Sequence, residues 1–291
     1  MFGLLNINKP TGMTSRDVVN HIQRLVKPHK IGHAGTLDPL ATGVLLVTIG
    51  QATRLEEFLH RLTKHYRGTF LLGRRSDTED VTGRVEQMTD ATVPTEGQLR
   101  GILPRFVGEI DQMPPAFSAL KVDGQRAYQL ARQGKEVSLA PRRVHIHAIE
   151  LVSYAYPEFV LDIRCGSGTY IRSLGRDIAR ALATEAVLSA LVRTAIGPFC
   201  ADEALPLAAL HENSLQGHLL PPQLGLPAMP QVLLSPDQVR RVVNGQVIDV
   251  PACPDAPEVA ALDERGMLIA ILKPAGRNRL APQRYFPPMQ T

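Results

Sequence analysis

The sequence predicts an α+β protein: a mainly antiparallel mixed sheet with a small β-rich module at its C-terminal end. Strand-like and helix-like stretches intermix without a regular βαβ repeat. Two long alternating runs, over 142–154 and 159–165, follow each other as a hairpin would. A stretch rich in Pro, Leu and Gln over 206–232 reads as a linker that sets a short β-rich tail apart. The expected division is 1–228 and 229–291 of the 291 residues, one large domain and one small.

Each element has a local reason. Thr14 and Asp17 have capping-box spacing, with Asp where Glu or Gln is usual. Val18, Val19, Ile22, Leu25 and Val26 then recur at helical spacing, so a helix is expected over 15–26, ending near Pro28. Gly32, Gly35 and Gly43 bracket a loop of small residues that holds one carboxylate, Asp38. Pro39 removes a backbone donor and biases Asp38 away from helix. The β-branched and apolar run 44–49 then reads as a buried strand. An acid in a constrained loop against a rigid strand is a good way to hold a catalytic group.

Further along, 67–73 reads as a strand and 83–93 as strand and loop. A helix is expected before Gly101, ahead of Pro104. Phe159, Leu161, Ile163 and Cys165 share one strand face. The turn 166–169 leads into a helix with Ile171, Leu174, Ile178 and Leu182 on one side. In the tail, 259–262 and 267–272 read as strands around a turn at 263–266.

Composition excludes several classes. At 44% hydrophobic and 21% charged the chain is ordinary for a globular protein. No apolar run approaches the roughly 20 residues needed to span a bilayer. No secretory signal pattern opens the chain, so a cytoplasmic location away from membranes is expected. Cys165, Cys200 and Cys253 are scattered singly, which suggests neither a zinc site nor a disulfide framework. His145 and His147 share a strand face but offer too few ligands for a metal. The pair Gly166 and Gly168 does not make a dinucleotide fingerprint, because its third glycine position is Ile171. No phosphate-binding G-x-x-x-x-G-K-[ST] loop is present. No metal and no cofactor are expected. A net charge of +4 mildly favours a polyanionic partner.

The loop His33-Ala34-Gly35-Thr36-Leu37-Asp38-Pro39-Leu40-Ala41-Thr42-Gly43 resembles the catalytic loop of the TruB family, the bacterial tRNA pseudouridine-55 synthases. Further motifs match that family in order. Gly3-Leu4-Leu5-Asn6-Ile7-Asn8-Lys9-Pro10-Thr11-Gly12-Met13-Thr14-Ser15 resembles its N-terminal lysine-proline motif. Lys64-His65-Tyr66-Arg67 resembles its tyrosine motif, and Ser76-Asp77-Thr78-Glu79-Asp80-Val81-Thr82-Gly83 the acidic loop behind it. The runs 114–121 and 166–174 complete the set. An ordered set of motifs is a far more specific signal than any one.

The resemblance implies a pseudouridine synthase catalytic domain followed by a PUA-like RNA-binding module, acting as a monomer on the T-arm stem-loop of tRNA with no protein partner. The implied reaction detaches uracil from C1′ of a flipped uridine, turns it and rejoins it through C5. By position, Asp38 is the catalytic carboxylate; whether it attacks a carbon or abstracts a ribose proton is left open. Tyr66 would stack on the extruded base and take part in proton transfer at C5. Arg172 would pair with Asp38 and orient it. Tyr170 and Leu191 would wall the uracil pocket, His33 would contact RNA where the base leaves the stack, and Asp80 would support the loop network. Lys9, Lys64, Lys121 and Arg193 are expected phosphate contacts.

The chain departs from the family at 183–187, where a glycine- and alanine-rich turn is usual, and at Val192, which stands where the first arginine of a Leu-Arg-Arg-Thr segment is usual. The rival class is a tRNA-binding folding chaperone on the same fold, without turnover. A carboxylate-pair glycoside hydrolase is disfavoured, because no second acid lies near Asp38 in sequence.

Overall fold

The computed structural model of the protein describes residues 1–118, 120–122, 125–127, 130, 133 and 139–287. In chain order the elements of the large domain are β1 (Phe2–Lys9), α1 (Ser15–Val26), β2 (Ile31–His33), β3 (Thr42–Gly50), α2 (Glu56–Arg61), β4 (Lys64–Leu72), β5 (Arg74–Ser76), β6 (Val85–Gln87), α3 (Glu96–Ile102), β7 (Gly108–Gln112), β8 (Lys121–Val122), β9 (Gln125–Arg126), β10 (Arg142–Ala155), β11 (Glu158–Cys165), α4 (Ile171–Arg180), β12 (Ala186–Ile196), β13 (Phe199–Cys200) and β14 (Leu205–Pro206). The tail carries β15 (Gln231–Leu233), α5 (Pro236–Val243), β16 (Ile248–Asp249), β17 (Val259–Leu262), β18 (Leu268–Pro274) and β19 (Arg279–Tyr285).

The α+β expectation holds. The main sheet runs β14-β1-β3-β12-β4-β11-β10-β7, with β2 on β3 and β13 on β12. Within it β1·β14 and β12·β3 are parallel, and the long pairings are antiparallel. Helix α1 begins and ends where its apolar spacing places it, and Thr14 and Asp17 close the capping box reciprocally. Helix α3 has the same device at Thr95 and Gln98, and it runs through Gly101.

Helices α1 and α4 cover one face of the sheet. Val18, Ile22 and Val26 of α1 pack on Leu5, Ile7 and Leu45. Ile171, Leu174 and Ile178 of α4 pack on Phe70, Phe159 and Leu161. The opposite face of β1 and β3 buries Leu4, Val44 and Leu46 against Leu55, Phe58 and Leu59 from the segment entering and forming α2.

The linker expectation over 206–232 is corrected. Its prolines prevent a long helix, but Leu207, Leu210, Leu215 and Leu226 are buried, and Leu220 exchanges backbone hydrogen bonds with Leu4 at 2.8 and 3.0 Å. The apolar side chains turn the segment into a packed strap. The tail forms a second sheet, β15-β17-β18-β19-β16. Its Phe286 stacks on Phe2 at 5.4 Å, and Ala260, Leu262, Leu268 and Ile271 join the cluster on the α2 side.

Candidate active site

Strand pairing places Ile163 of β11, Tyr66 of β4, Arg193 of β12, Gly43 of β3 and Lys9 of β1 in one transverse row. Directly opposed residues share a face, so Tyr66, Arg193 and Lys9 all lie on the face covered by α1 and α4. The loop carrying Asp38 crosses this row. Leu37 anchors it in the core beside Leu191. The Ser15 hydroxyl accepts from Leu37 N at 2.8 Å, and the Gly12 amide donates to Pro39 O at 2.8 Å. The lysine-proline loop therefore grips the acidic loop from outside. At Gly43 (φ 92°) a Cβ would run into the carbonyl oxygen of Arg193, so only glycine permits this approach.

Arg172, on the first turn of α4, meets Asp38 as the resemblance implied. Its Nε lies 2.9 Å from Asp38 Oδ2, and its side chain is 5% exposed against 39% for Asp38. The guanidinium also donates to Thr78 O at 2.7 Å and Phe117 O at 3.0 Å. Three acceptors from three segments fix its plane, so the carboxylate is oriented from the protein side while its outer edge meets solvent. Asp80 stands behind it, 3.9 Å from the same Nε, and accepts from Thr78 Oγ1, Thr82 N and Thr82 Oγ1 at 2.7, 2.9 and 2.6 Å. The structure thus puts Asp80 in the supporting network.

One turn along α4, Arg176 pairs with Glu79, and Ser173 Oγ donates to Glu79 at 2.8 Å. Glu79 is held at φ 61°, an uncommon conformation for a residue with a side chain. Burial pushes its carboxyl upward, with the two arginines opposing. This latch ties the acidic loop to the helix that carries Arg172.

Three of the four expected phosphate contacts are corrected. Lys9 is 0% exposed, Lys64 5% and Arg193 1%. Lys9 Nζ donates to Pro10 O, Met13 O and Pro39 O at 2.9, 2.6 and 3.4 Å. Lys64 Nζ donates to His60 O, Leu62 O and Ser167 Oγ. Arg193 donates to Val44 O at 2.7 Å and Gly35 O at 3.1 Å. Their donors are used on backbone carbonyls and, for Lys64, also on the Ser167 hydroxyl, because a buried cation needs such partners. Burial lowers both lysines to about 8. The side chain of Lys121 lies outside the described residues.

Tyr66 and Leu191 line the core side of the site, Leu191 buried and Tyr66 partly so. Burial pushes the Tyr66 phenol upward, opposed by Arg193, so its hydroxyl stays protonated near neutral pH. Tyr170 caps α4 without a side-chain bond of its own to the helix, and Gln112 fixes its backbone at 2.8 and 3.0 Å. Burial also raises the Tyr170 phenol, opposed by the neighbouring Ser118, Arg142 and Arg172. The sequence does not single out Ser15, Thr78, Glu79, Phe117 or Arg176, which hold the site through backbone carbonyls and distant partners.

His33 sits at the end of β2, where burial and then Arg16, Arg193 and His60 lower it to about 4. It is a flat, neutral ring at physiological pH. The unfolded chain takes up this proton below about 6.5 and the folded chain does not, so stability present above 6.5 is lost as pH falls toward 4. His33→Gln is expected to reduce the loss of unfolding free energy between about pH 7 and 5 by roughly 1–2 kcal/mol, measured by urea titration. An unchanged loss would show that His33 is already charged when folded.

Among the described residues no group of three or more His, Cys, Asp or Glu side chains is placed to hold a metal ion. No helix there is long and apolar enough to cross a membrane.

Residues 23–171 match the family model described as TruB family pseudouridylate synthase, N terminal domain. The chain is 39% identical over 290 residues to the tRNA pseudouridine synthase B of Dehalococcoides mccartyi, covering 98% of this chain and 97% of that protein. It is 44% identical over 246 residues to the protein of the same name from Symbiobacterium thermophilum, covering 84% and 82%. Among solved structures, a chain of an H/ACA RNP bound to a substrate RNA containing 2'-deoxyuridine superposes with a TM-score of 0.75 at 25% identity, over 99% of this chain and 86% of that one. A chain from a Cbf5-Nop10-Gar1 complex gives 0.70 at 27%, over 95% and 79%.

Proposed function

The chain belongs to the TruB family of pseudouridylate synthases, and on that premise we propose that it isomerises uridine 55 in the T-loop of cytoplasmic tRNA to pseudouridine, with Asp38 as the catalytic carboxylate. The observation that carries this reading is the Asp38–Arg172 pair at 2.9 Å, with Asp38 alone reaching solvent. Asp38 acts at the ribose while the glycosidic bond breaks and the uracil is freed. Tyr66 offers a ring face to that uracil. Because burial keeps its phenol protonated, Tyr66 suits a proton relay at C5 better than a standing phenolate base. Leu191 and Tyr170 close the apolar walls, and His33 offers a neutral plane where the base leaves the stack.

The phosphate contacts fall to exposed cations at the rim. Arg16 lies near enough to His33 to lower its basicity, and Arg142 near enough to Tyr170 to oppose the rise of its phenol. Losing either Arg16 or Arg142 to alanine is expected to weaken tRNA binding and to flatten the slope of log affinity against log salt by about 0.7–0.9. Lys9→Met is expected to leave that slope alone. A slope unchanged by both arginine variants would remove them from the interface.

The second sheet is the PUA-like module of this reading, and it adds RNA surface to a monomer that needs no protein partner. The test is positional. A tRNA transcript with uridine 55 replaced by cytidine should yield no pseudouridine, while the parent transcript yields one per molecule by mass spectrometry. Product formed equally in both would move the target elsewhere.

A further inference from the structure

Arg176 has no assigned part in the reaction, yet it repeats the contacts of Arg172 one turn further along α4. Arg172 Nη1 donates to Thr78 O at 2.7 Å and its Nη2 to Phe117 O at 3.0 Å. Arg176 Nη1 donates to the Glu79 carboxylate and its Nη2 to Met113 O at 3.1 Å. The two guanidinium groups therefore bridge the same two segments. One is the acidic loop, met at residues 78 and 79; the other is the stretch leaving β7, met at 113 and 117. Residues four apart are neighbours on one helix face, so the bridges lie side by side.

Glu79 fixes the acidic loop from two directions. Its carboxylate accepts from Ser173 Oγ at 2.8 Å as well as from Arg176, both on α4. Its backbone oxygen accepts from Leu188 N at 3.0 Å, and Val81 N donates to Leu188 O at 3.0 Å, both on β12. The residues on either side of Glu79 are the ones that face Arg172: Thr78 through its carbonyl, and Asp80 at 3.9 Å from Nε. The side chains of Glu79 and Arg176 are only 13% and 10% exposed, so water competes little for this pair.

We propose that Glu79 and Arg176 are positioning residues, which hold the two carbonyl acceptors of Arg172 at a fixed spacing and act on the rate through Arg172 and the carboxylate it orients. This rests on the roles of Asp38 and Arg172 proposed above. A misplacement of about 1 Å in a reacting group costs on the order of 100-fold in rate.

The test uses the full chain with unmodified tRNA. Glu79→Ala is expected to lower kcat by about 100-fold with KM changed less than about threefold. The Arg172 Nε resonance, assigned by its disappearance in Arg172→Lys, should shift in that variant under conditions where it is fully folded. Arg180→Ala is the control: it breaks an ion pair on the same helix, with Glu185 at 2.9 Å, that touches neither segment. Its kcat should stay within about twofold of wild type. A wild-type kcat for Glu79→Ala, a rise in KM alone, an equal fall in Arg180→Ala, or a lowered kcat with an unmoved Arg172 resonance would each overturn the proposal. If Glu79→Ala does not fold, Glu79→Gln decides. Its amide can accept from one of the two donors but turns an N–H toward the other, so kcat should fall at least about fivefold and the Arg172 resonance should again move; an unmoved resonance or a wild-type kcat would overturn the proposal. The resonance readouts need no turnover. A wild-type protein inactive on tRNA would therefore sink the functional reading separately.

Discussion

Asp38→Asn is expected to lose at least about 10,000-fold in turnover, the scale seen when a reacting group is removed from its unit. The variant should bind tRNA like the parent. Asparagine keeps the shape of the side chain, and its oxygen still accepts from Arg172 Nε, which lies 2.9 Å away. What it removes is the negative charge that the proposed reaction needs at the ribose. Arg172 does not become an uncompensated buried cation, because Asp80 stands 3.9 Å from the same nitrogen. The stability change should therefore stay within about 1 kcal/mol. Single-turnover rates and filter binding on one preparation separate the two effects. Retained turnover would show that Asp38 is not the reacting carboxylate, whereas a parallel loss of binding would show that it holds RNA.

Arg172→Ala should damage both rate and fold. Its side chain is 5% exposed, and removal leaves Asp80, itself 6% exposed, without its counter-charge. The carbonyls of Thr78 and Phe117 also lose their donor. Breaking a buried pair from one side costs about 3–5 kcal/mol, which urea unfolding would resolve. Turnover should fall with it, because Asp38 then rotates freely toward solvent. Arg172→Lys should recover part of the stability, since charge is restored, but little of the rate, since a lysine lacks the planar fork whose three separate nitrogens meet Asp38, Thr78 O and Phe117 O. A lysine variant with full activity would mean that charge alone matters at this position.

Much of the fold was legible because its signals are local. The 3.6-residue spacing of Val18, Val19, Ile22 and Val26 gave α1, and the period-2 run Phe159, Leu161, Ile163 and Cys165 gave β11. Asp38 and Arg172 were singled out by motif and meet in space. The buried cations were misread because a sequence displays charge and not burial. Yet a signal was present. Lys9 follows Leu5 and Ile7, Lys64 precedes Tyr66 and Phe70, and Arg193 follows Leu191, each on the inward parity of its strand. A cation at an inward position must find acceptors, and here these are carbonyls of loops such as Gly35 and Pro39. Gly35 lies far along the chain from Arg193 and Pro39 from Lys9, as Glu79 does from Arg176, so no local pattern announces these contacts. The strap over 206–232 hid for a related reason: prolines mark it as irregular, but only its leucines decide whether irregular chain packs.

The most direct test follows tritium released from C5 of uridine in an unmodified tRNA transcript, for the parent protein and for Asp38→Asn, without added metal or cofactor. Rejoining uracil through C5 must expel that hydrogen to water. The account predicts release by the parent alone, up to one equivalent, lost when uridine 55 is replaced. No release from a parent protein that binds the tRNA would contradict it and leave a folding chaperone on this scaffold; equal release by Asp38→Asn would contradict the role given to that carboxylate.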